Sequence, residues 1–341
     1  MPPWHGASAG RRDPELIPML AATFRGNRPA VLLTVPLLVA VLQGPRLHLP
    51  MPAAEGPWMP LYGALHRLLS VDPWLHGVLL VLVLSLVAVQ LGLLVDRVEL
   101  LGVRTQVPAL LLPLFALAMA PAPALDPALA GMPFVLVALR WLWPVGNTGS
   151  ALGPVFQAGF WTGIAALFHL PYAFVLPAIW SFVSLVRPFQ WREYVLPLLG
   201  VSTVFYLTWA VLQLLGATPW KPLHTLLTPA FPHVLAPQAL RVLFLMVALG
   251  MVLGAVGPFA AAYGRGVMRE RNLRAAFLAW AAVLGLMVLA QWGLQERVSP
   301  VLAAAPLAVF CAQGLAAPKQ PWAGELAVTA LLVLALWAQW G

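Results

Sequence analysis

Charge is what this sequence has least of. Asp, Glu, Lys and Arg make up 9% of its 341 residues, and 61% are hydrophobic, whereas a soluble domain carries roughly 25% charged residues. At a mean hydropathy of +0.87 the chain holds more apolar surface than a soluble fold could hide, which excludes a soluble enzyme or binding module. Cysteine is almost missing too. Cys311 is the only one, so disulfides and thiolate metal sites are excluded, and its apolar surroundings suit a small core residue. No basic patch interleaved with aromatics is present, which removes the footprint of a nucleic-acid surface. HExxH, P-loop, GxSxG, dinucleotide and EF-hand patterns are all absent, so neither a metal nor a cofactor is expected. Gly146 to Ser150 reads as a flexible loop without the lysine of a phosphate cradle.

What is present is a set of long apolar runs separated by single arginines, which accounts for the formal net charge of +8. Thirty-four prolines and fifteen tryptophans suit kinked spans and interfacial anchors. Residues 1–28 carry Arg11, Arg12, Asp13, Glu15, Arg25 and Arg28 with no apolar core ahead of them, so no cleavable signal peptide is expected. They read as a cytoplasmic or interfacial segment, with Leu16 to Phe24 along the membrane surface. Residues 29–341 read as one all-α transmembrane domain.

Eleven spans (range nine to eleven) are expected, at about 29–44, 74–95, 106–121, 128–144, 157–170, 172–186, 194–215, 239–262, 275–293, 300–316 and 323–340. With the N-terminus inside, thirteen of the nineteen Lys and Arg fall in inner segments and five in outer ones, Arg140 lying within a span. That bias is the positive-inside rule, and it predicts a multi-pass protein of the inner (plasma) membrane. Asp96, Arg97, Glu99 and Arg104 read as an inner ion-pair network. Arg140 reads as snorkelling to the inner interface or as meeting a buried partner.

The stretch from Gln157 to Glu193 is the most informative. Thirty near-apolar residues are broken at His169-Leu170-Pro171 and end at Arg187. One straight span needs about 20 residues and two need about 40, so the stretch is a tight pair of short helices or one broken helix. Broken, short helices in membranes line a cavity rather than face lipid, which makes this stretch the expected pointer to a working site. Gly159 and Gly163 form a GxxxG step, which packing alone explains.

Few polar groups lie on the outer side. Pro60 to Leu69 reads as an amphipathic surface helix ending in His66-Arg67. Glu55 and Asp72 flank it; each is a solvated or helix-capping acid or a carboxylate held at the membrane surface as a catalytic base. His66, Arg67, His169, Lys221, His224 and His233 share this side. They are either ordinary loop residues or a set that holds a phosphate or pyrophosphate head group.

The passage AGFWTGIAALFHLPYAFVLPAIWSFVSLVRPFQWREYVLPLLG, with FRGNRPA, PLYGAL and VDRVELLGVRTQVPALL in order, resembles a polytopic bacterial membrane family of about this length. No chemistry is assigned to that family. Its members are sometimes labelled beta-carotene monooxygenases, but those oxygenases are soluble propellers with a four-histidine iron site, and this chain offers neither the strands nor the ligands. AGFWTGIAALFHLPYAF is also similar, more distantly, to a helix pair of GT-C membrane glycosyltransferases. That resemblance implies a GT-C-like core, a polyprenyl-phosphate-linked sugar donor and an acidic base in the first outer loop. Here the loop lacks an acidic pair and Glu55 is its one mid-loop acid. The function it implies is envelope-glycan or lipid-linked-sugar metabolism, with Glu55 or Asp72 as base and His169, Lys221 and His224 holding donor phosphate. Two other classes stay open: a non-enzymatic scaffold or partner subunit of an envelope assembly, and a lipid or small-molecule transporter or flippase. Membrane lipids and membrane proteins are the expected partners, and nucleic acid is not.

Overall fold

Backbone placed among hydrocarbon must satisfy its own N–H and C=O groups, and the apolar runs of this chain accordingly form helices. The computed structural model describes residues 20–26, 29–47, 58–70, 72–120, 124–143, 145, 151–187, 189–216, 222–223, 225, 237–295, 298–316 and 321–340. The α-helices are α1 (Leu20–Arg25), α2 (Thr34–Gln43), α3 (Pro60–Leu69), α4 (Pro73–Arg97), α5 (Val107–Met119), α6 (Pro127–Leu142), α7 (Leu152–Phe168), α8 (Leu176–Val186), α9 (Trp191–Leu214), α10 (Gln238–Arg265), α11 (Met268–Gln295), α12 (Pro300–Ala316) and α13 (Pro321–Trp340). No strand occurs among the described residues.

Five helices are long and apolar enough to cross a membrane: Trp74–Arg97, Trp191–Leu214, Gln238–Arg265, Met268–Gly293 and Trp322–Trp340. This is the make-up of a membrane-embedded helical protein. The other apolar segments, Ala30–Arg46, Val107–Met119, Pro127–Leu142, Leu152–Phe168, Leu170–Val186 and Pro300–Ala316, are shorter. The short ones include the centre of the fold. In α5 every residue from Val107 to Ala118 is buried, against α4, α12 and α13. A helix apolar all round belongs in such a place. Its 13 residues span only about 20 Å.

Helix starts follow local chemistry. Asp72 caps α4 by accepting from Trp74 N at 2.9 Å, and Asp126 caps α6 by accepting from Leu129 N at 2.6 Å. Each cap is followed by a proline at the first helical position, where its missing N–H costs nothing. Residues Pro60–Leu69 do form a separate short helix.

The bundle has two unlike ends. One gathers arginines and, among the described residues, most of the carboxylates. There Arg25 lies 3.7 Å from Glu325, Arg187 3.3 Å from Glu193, Arg104 3.0 Å from Glu99 and Arg274 3.3 Å from Glu270. Backbone and amide bonds knit these segments together: Gln106 N donates to Phe24 O, Gln313 to Leu101 O and Asn272 to Leu185 O. Arg140 is exposed near the end of α6 that leads there. The opposite end is held by hydrogen bonds to backbone carbonyls. Gln339 donates to Leu117 O and Ala120 O, each at 2.8 Å, and Arg46 donates to Gln339 O at 2.8 Å.

Candidate functional site

The break in the central apolar stretch lies at the sparsely charged end. Pro171 has no N–H to donate to Leu167 O, four residues back, and its ring crowds that carbonyl. The helix α7 therefore stops at Phe168, and His169 turns to extended backbone at φ −141°, ψ 102°. A 3₁₀ turn over Leu170–Val175 follows and leads into α8. The chain is thereby reversed. In α7, Gly159 meets Pro197 of α9 and Gly163 meets Val201 and Val204, so α7 and α9 run in the same direction and α8 returns between them. Residues 157–186 are thus two antiparallel pieces rather than one bent rod.

Around the turn, His169, Gln291 and Tyr172 find protein partners. His169 Nε2 lies 3.0 Å from Gln291 Nε2 on α11, and Gln291 Oε1 accepts from Ser299 N at 3.1 Å. A backbone N–H can only donate, which points the amide oxygen of Gln291 toward Ser299 and its NH₂ toward the imidazole. His169 Nε2 therefore accepts, and the ring is neutral with its proton on Nδ1. Tyr172, fully buried, donates its hydroxyl to Ala128 O at 2.6 Å and meets the His169 ring edge-on at 5.3 Å. Gly131 makes room for this, since a Cβ there would lie 2.8 Å from the Tyr172 ring and 3.0 Å from Ala165 O.

The short helix α3 joins the same end through the α5–α6 turn. Tyr62 donates to Leu125 O at 2.8 Å, and Leu125 N donates to His76 Nε2 at 3.2 Å. Burial, and secondly the charge of Asp126, raises the Tyr62 phenol above its ordinary value. His66 stacks on Trp58 with ring centroids 5.3 Å apart. Its buried Nε2 has no hydrogen-bond partner among the described residues, and burial lowers its affinity for a proton below that of a free imidazole. Arg67 and Asp72 are exposed beside it.

Of the residues expected at a site, His66, Arg67, Asp72 and His169 are therefore at one end. Asp72 serves as a helix cap. Glu55, Lys221, His224 and His233 lie outside the described residues. Sequence reasoning passed over Tyr62, Tyr172, Gln291 and Ser299, and gave His76 and Asp126 no part in a site. A lone Gln near the end of an apolar span is a weak signal for a buried hydrogen bond. Nothing in the sequence connects Gln291 to a turn 122 residues earlier.

A cavity of about 30 Å³ opens between α4, α5, α6 and α12, lined by Asp126 and Ser299 among apolar side chains. Ser299 Oγ is buried without a hydrogen-bond partner. The cavity has room for roughly one water molecule. This end supplies hydrogen bonds from neutral groups, one buried carboxylate and exposed groups on and beside α3. Among the described residues no three His, Cys, Asp or Glu gather as a metal site. No family model, curated protein or solved structure matches the chain.

Proposed function

We propose that the chain is a multi-pass inner-membrane protein of envelope-glycan or lipid-linked-sugar metabolism with a GT-C-like core, working at its sparsely charged end. One observation carries the reading: the surface helix α3, the start of α4 at Asp72 and the His169 turn are gathered at one end. The arginine-rich end is then cytoplasmic by the positive-inside rule. The five long helices and six shorter apolar segments make eleven passes from an inner N-terminus. In this reading Glu55, or Asp72, takes the proton from the acceptor hydroxyl as it attacks the sugar carbon. Arg67 and Lys221 meet the phosphate that leaves with the polyprenyl chain, with His66, His169, His224 and His233 donating hydrogen bonds. The test is sugar transfer from a polyprenyl-phosphate donor in membranes holding the wild-type chain or Glu55→Gln. The variant is expected to reach the membrane in equal amount and to transfer nothing. Full transfer by Glu55→Gln removes Glu55 as the base.

A second reading is favoured by the way these groups are already bonded. His169 is tied to Gln291, Tyr172 to Ala128 and Asp72 to its own helix. A scaffold subunit of an envelope assembly needs only such internal bonds. In that case a membrane partner copurifies in mild detergent, and Glu55→Gln leaves that association unchanged.

A further inference from the structure

Far from the His169 turn, α10 and α13 part over α12 and leave a groove of about 1010 Å³. A second hollow of about 600 Å³ continues it, sharing Val247, Leu326 and Ala330. The groove exists because side chains are missing. Gly250, Gly254 and Gly257 line it, and a Cβ on any of the three would meet nothing within 4 Å. Contact between α10 and α12 is instead made beside them, where Gly314 faces Ala255.

At its charged end the groove is lined by Arg265. Arg25, Arg104, Arg187 and Arg274 of that end each have a carboxylate within 4 Å, whereas Arg97, Arg192, Arg269 and Arg271 have none among the described residues, and only Arg265 among the arginines of this end lines the groove. Arg265 is exposed and has no ion pair among the described residues. From Arg265 to Gly257 is about 12 Å along the helix and to Gly250 about 22 Å. A single leaflet with its head-group layer is about 20–22 Å thick. The cation is thus at head-group level, and the glycine floor runs along the length of one lipid tail.

We propose that this groove binds one anionic diacyl phospholipid of the leaflet at the arginine-rich end. Its phosphate pairs with the Arg265 guanidinium, and an acyl chain lies over Gly257, Gly254 and Gly250. A cationic pocket between membrane helices recognises lipid in this way. The closed step at Gly159 shows how differently a glycine pair is used when a helix is its partner, because backbone then fills the space.

The test is native mass spectrometry of the detergent-purified chain, exchanged with an equal mixture of phosphatidylglycerol and phosphatidylcholine. Wild type is expected to keep one phosphatidylglycerol through delipidation that strips phosphatidylcholine. Arg265→Gln should lower phosphatidylglycerol retention about fivefold and erase the preference. Gly250→Leu or Gly257→Leu, each filling the groove, should lose both lipids at an unchanged melting temperature. Arg265→Gln, on an exposed side chain, keeps the test decisive even where a glycine variant misfolds. Equal retention of the two lipids by wild type, or a preference that survives Arg265→Gln, overturns the proposal. A wild-type dimer that Gly250→Leu splits also overturns it, by giving the groove to a second copy of the chain.

Discussion

The α7–α9 contact and the α10–α13 groove begin from the same sequence step, a pair of glycines four residues apart, and end as opposites. At Gly159 and Gly163 the step is closed. A Cβ on Gly159 would run into Pro197 O, and one on Gly200 would lie 2.6 Å from Phe156 O. At Gly250 and Gly254 it is open, with nothing within 4 Å. The basic residues nearby follow suit: Arg187, just before α9, is paired with buried Glu193, whereas Arg265 is unpaired among the described residues. Small residues permit close approach, but they do not choose a partner. Closure at α7 comes from Gly200 and Pro197 on the facing helix, and α13 brings no such match to Gly250.

The largest effect is expected from forcing the closed site open. Gly159→Leu drives a side chain into the Pro197 backbone, which cannot give way as a flexible side chain would. Overpacking costs about 1–3 kcal/mol, occasionally more, and against backbone this variant belongs at or beyond the upper end. Loss of folded protein in fluorescence-detected size exclusion checks it. A variant that folds as wild type would show that the α7–α9 crossing is slack.

Removing one partner of the buried ion pair comes next. Glu193 is 1% exposed, so Arg187→Leu leaves its carboxylate inside the protein without the Arg187 charge. Breaking a fully buried pair costs about 3–5 kcal/mol in soluble hosts; because the Arg187 side chain is 19% exposed, the loss should fall below that range, and detergent melting should still register a clear drop. Arg265→Gln, the matching change at the open site, should leave the melting temperature where it was. Equal losses in the two variants would dissolve the distinction between the two regions.

At the open step Gly250→Leu is expected to be neutral or slightly stabilising. Leu is a better helix former than Gly by about 1 kcal/mol or less in soluble helices, and the side chain enters empty space. A melting temperature equal to or above wild type is the expected result, against the collapse at Gly159. Destabilisation would mean that the α10 glycines pack more tightly than the geometry at Gly250 allows.

Much of this architecture could be read before any fold was known. The apolar runs between single arginines correspond to helices, and the HLP break is visible because Pro171 lacks an N–H. The difference between the two glycine steps could not be read. Lipid tails are as apolar as leucine, so no hydrophobic contrast marks which face of a helix meets protein. The helices show this directly: the most apolar 18-residue window of α9 is 22% buried, that of α4 is 56% buried, and both are apolar enough to span. Nor does a 13-residue run such as α5 announce that it is the centre of the fold. At the candidate site the His169 turn was legible from local stereochemistry. The tether to Gln291 was not, because it depends on how α11 packs against the turn.

The smallest expected effect concerns acid at the sparsely charged end, and it extends the comparison from packing to protons. The arginine-rich end is held by ion pairs. His66 instead rests on Trp58 with its Nε2 buried, and burial lowers its folded-state proton affinity. An unfolded His takes up a proton near pH 6.5, so below that value the unfolded chain binds more protons at this position than the folded one does. Stability contributed by neutral His66 is therefore complete above that pH and declines as pH falls from it toward the lower folded-state value. His66→Phe, which keeps the stacking and removes the titration, should flatten the acid limb of a melting-temperature profile between about pH 6.5 and pH 5. The shift should be small, because His66 is only partly buried. A profile unchanged by His66→Phe would place the acid sensitivity of this end elsewhere, with His169 or His76 the next groups to replace.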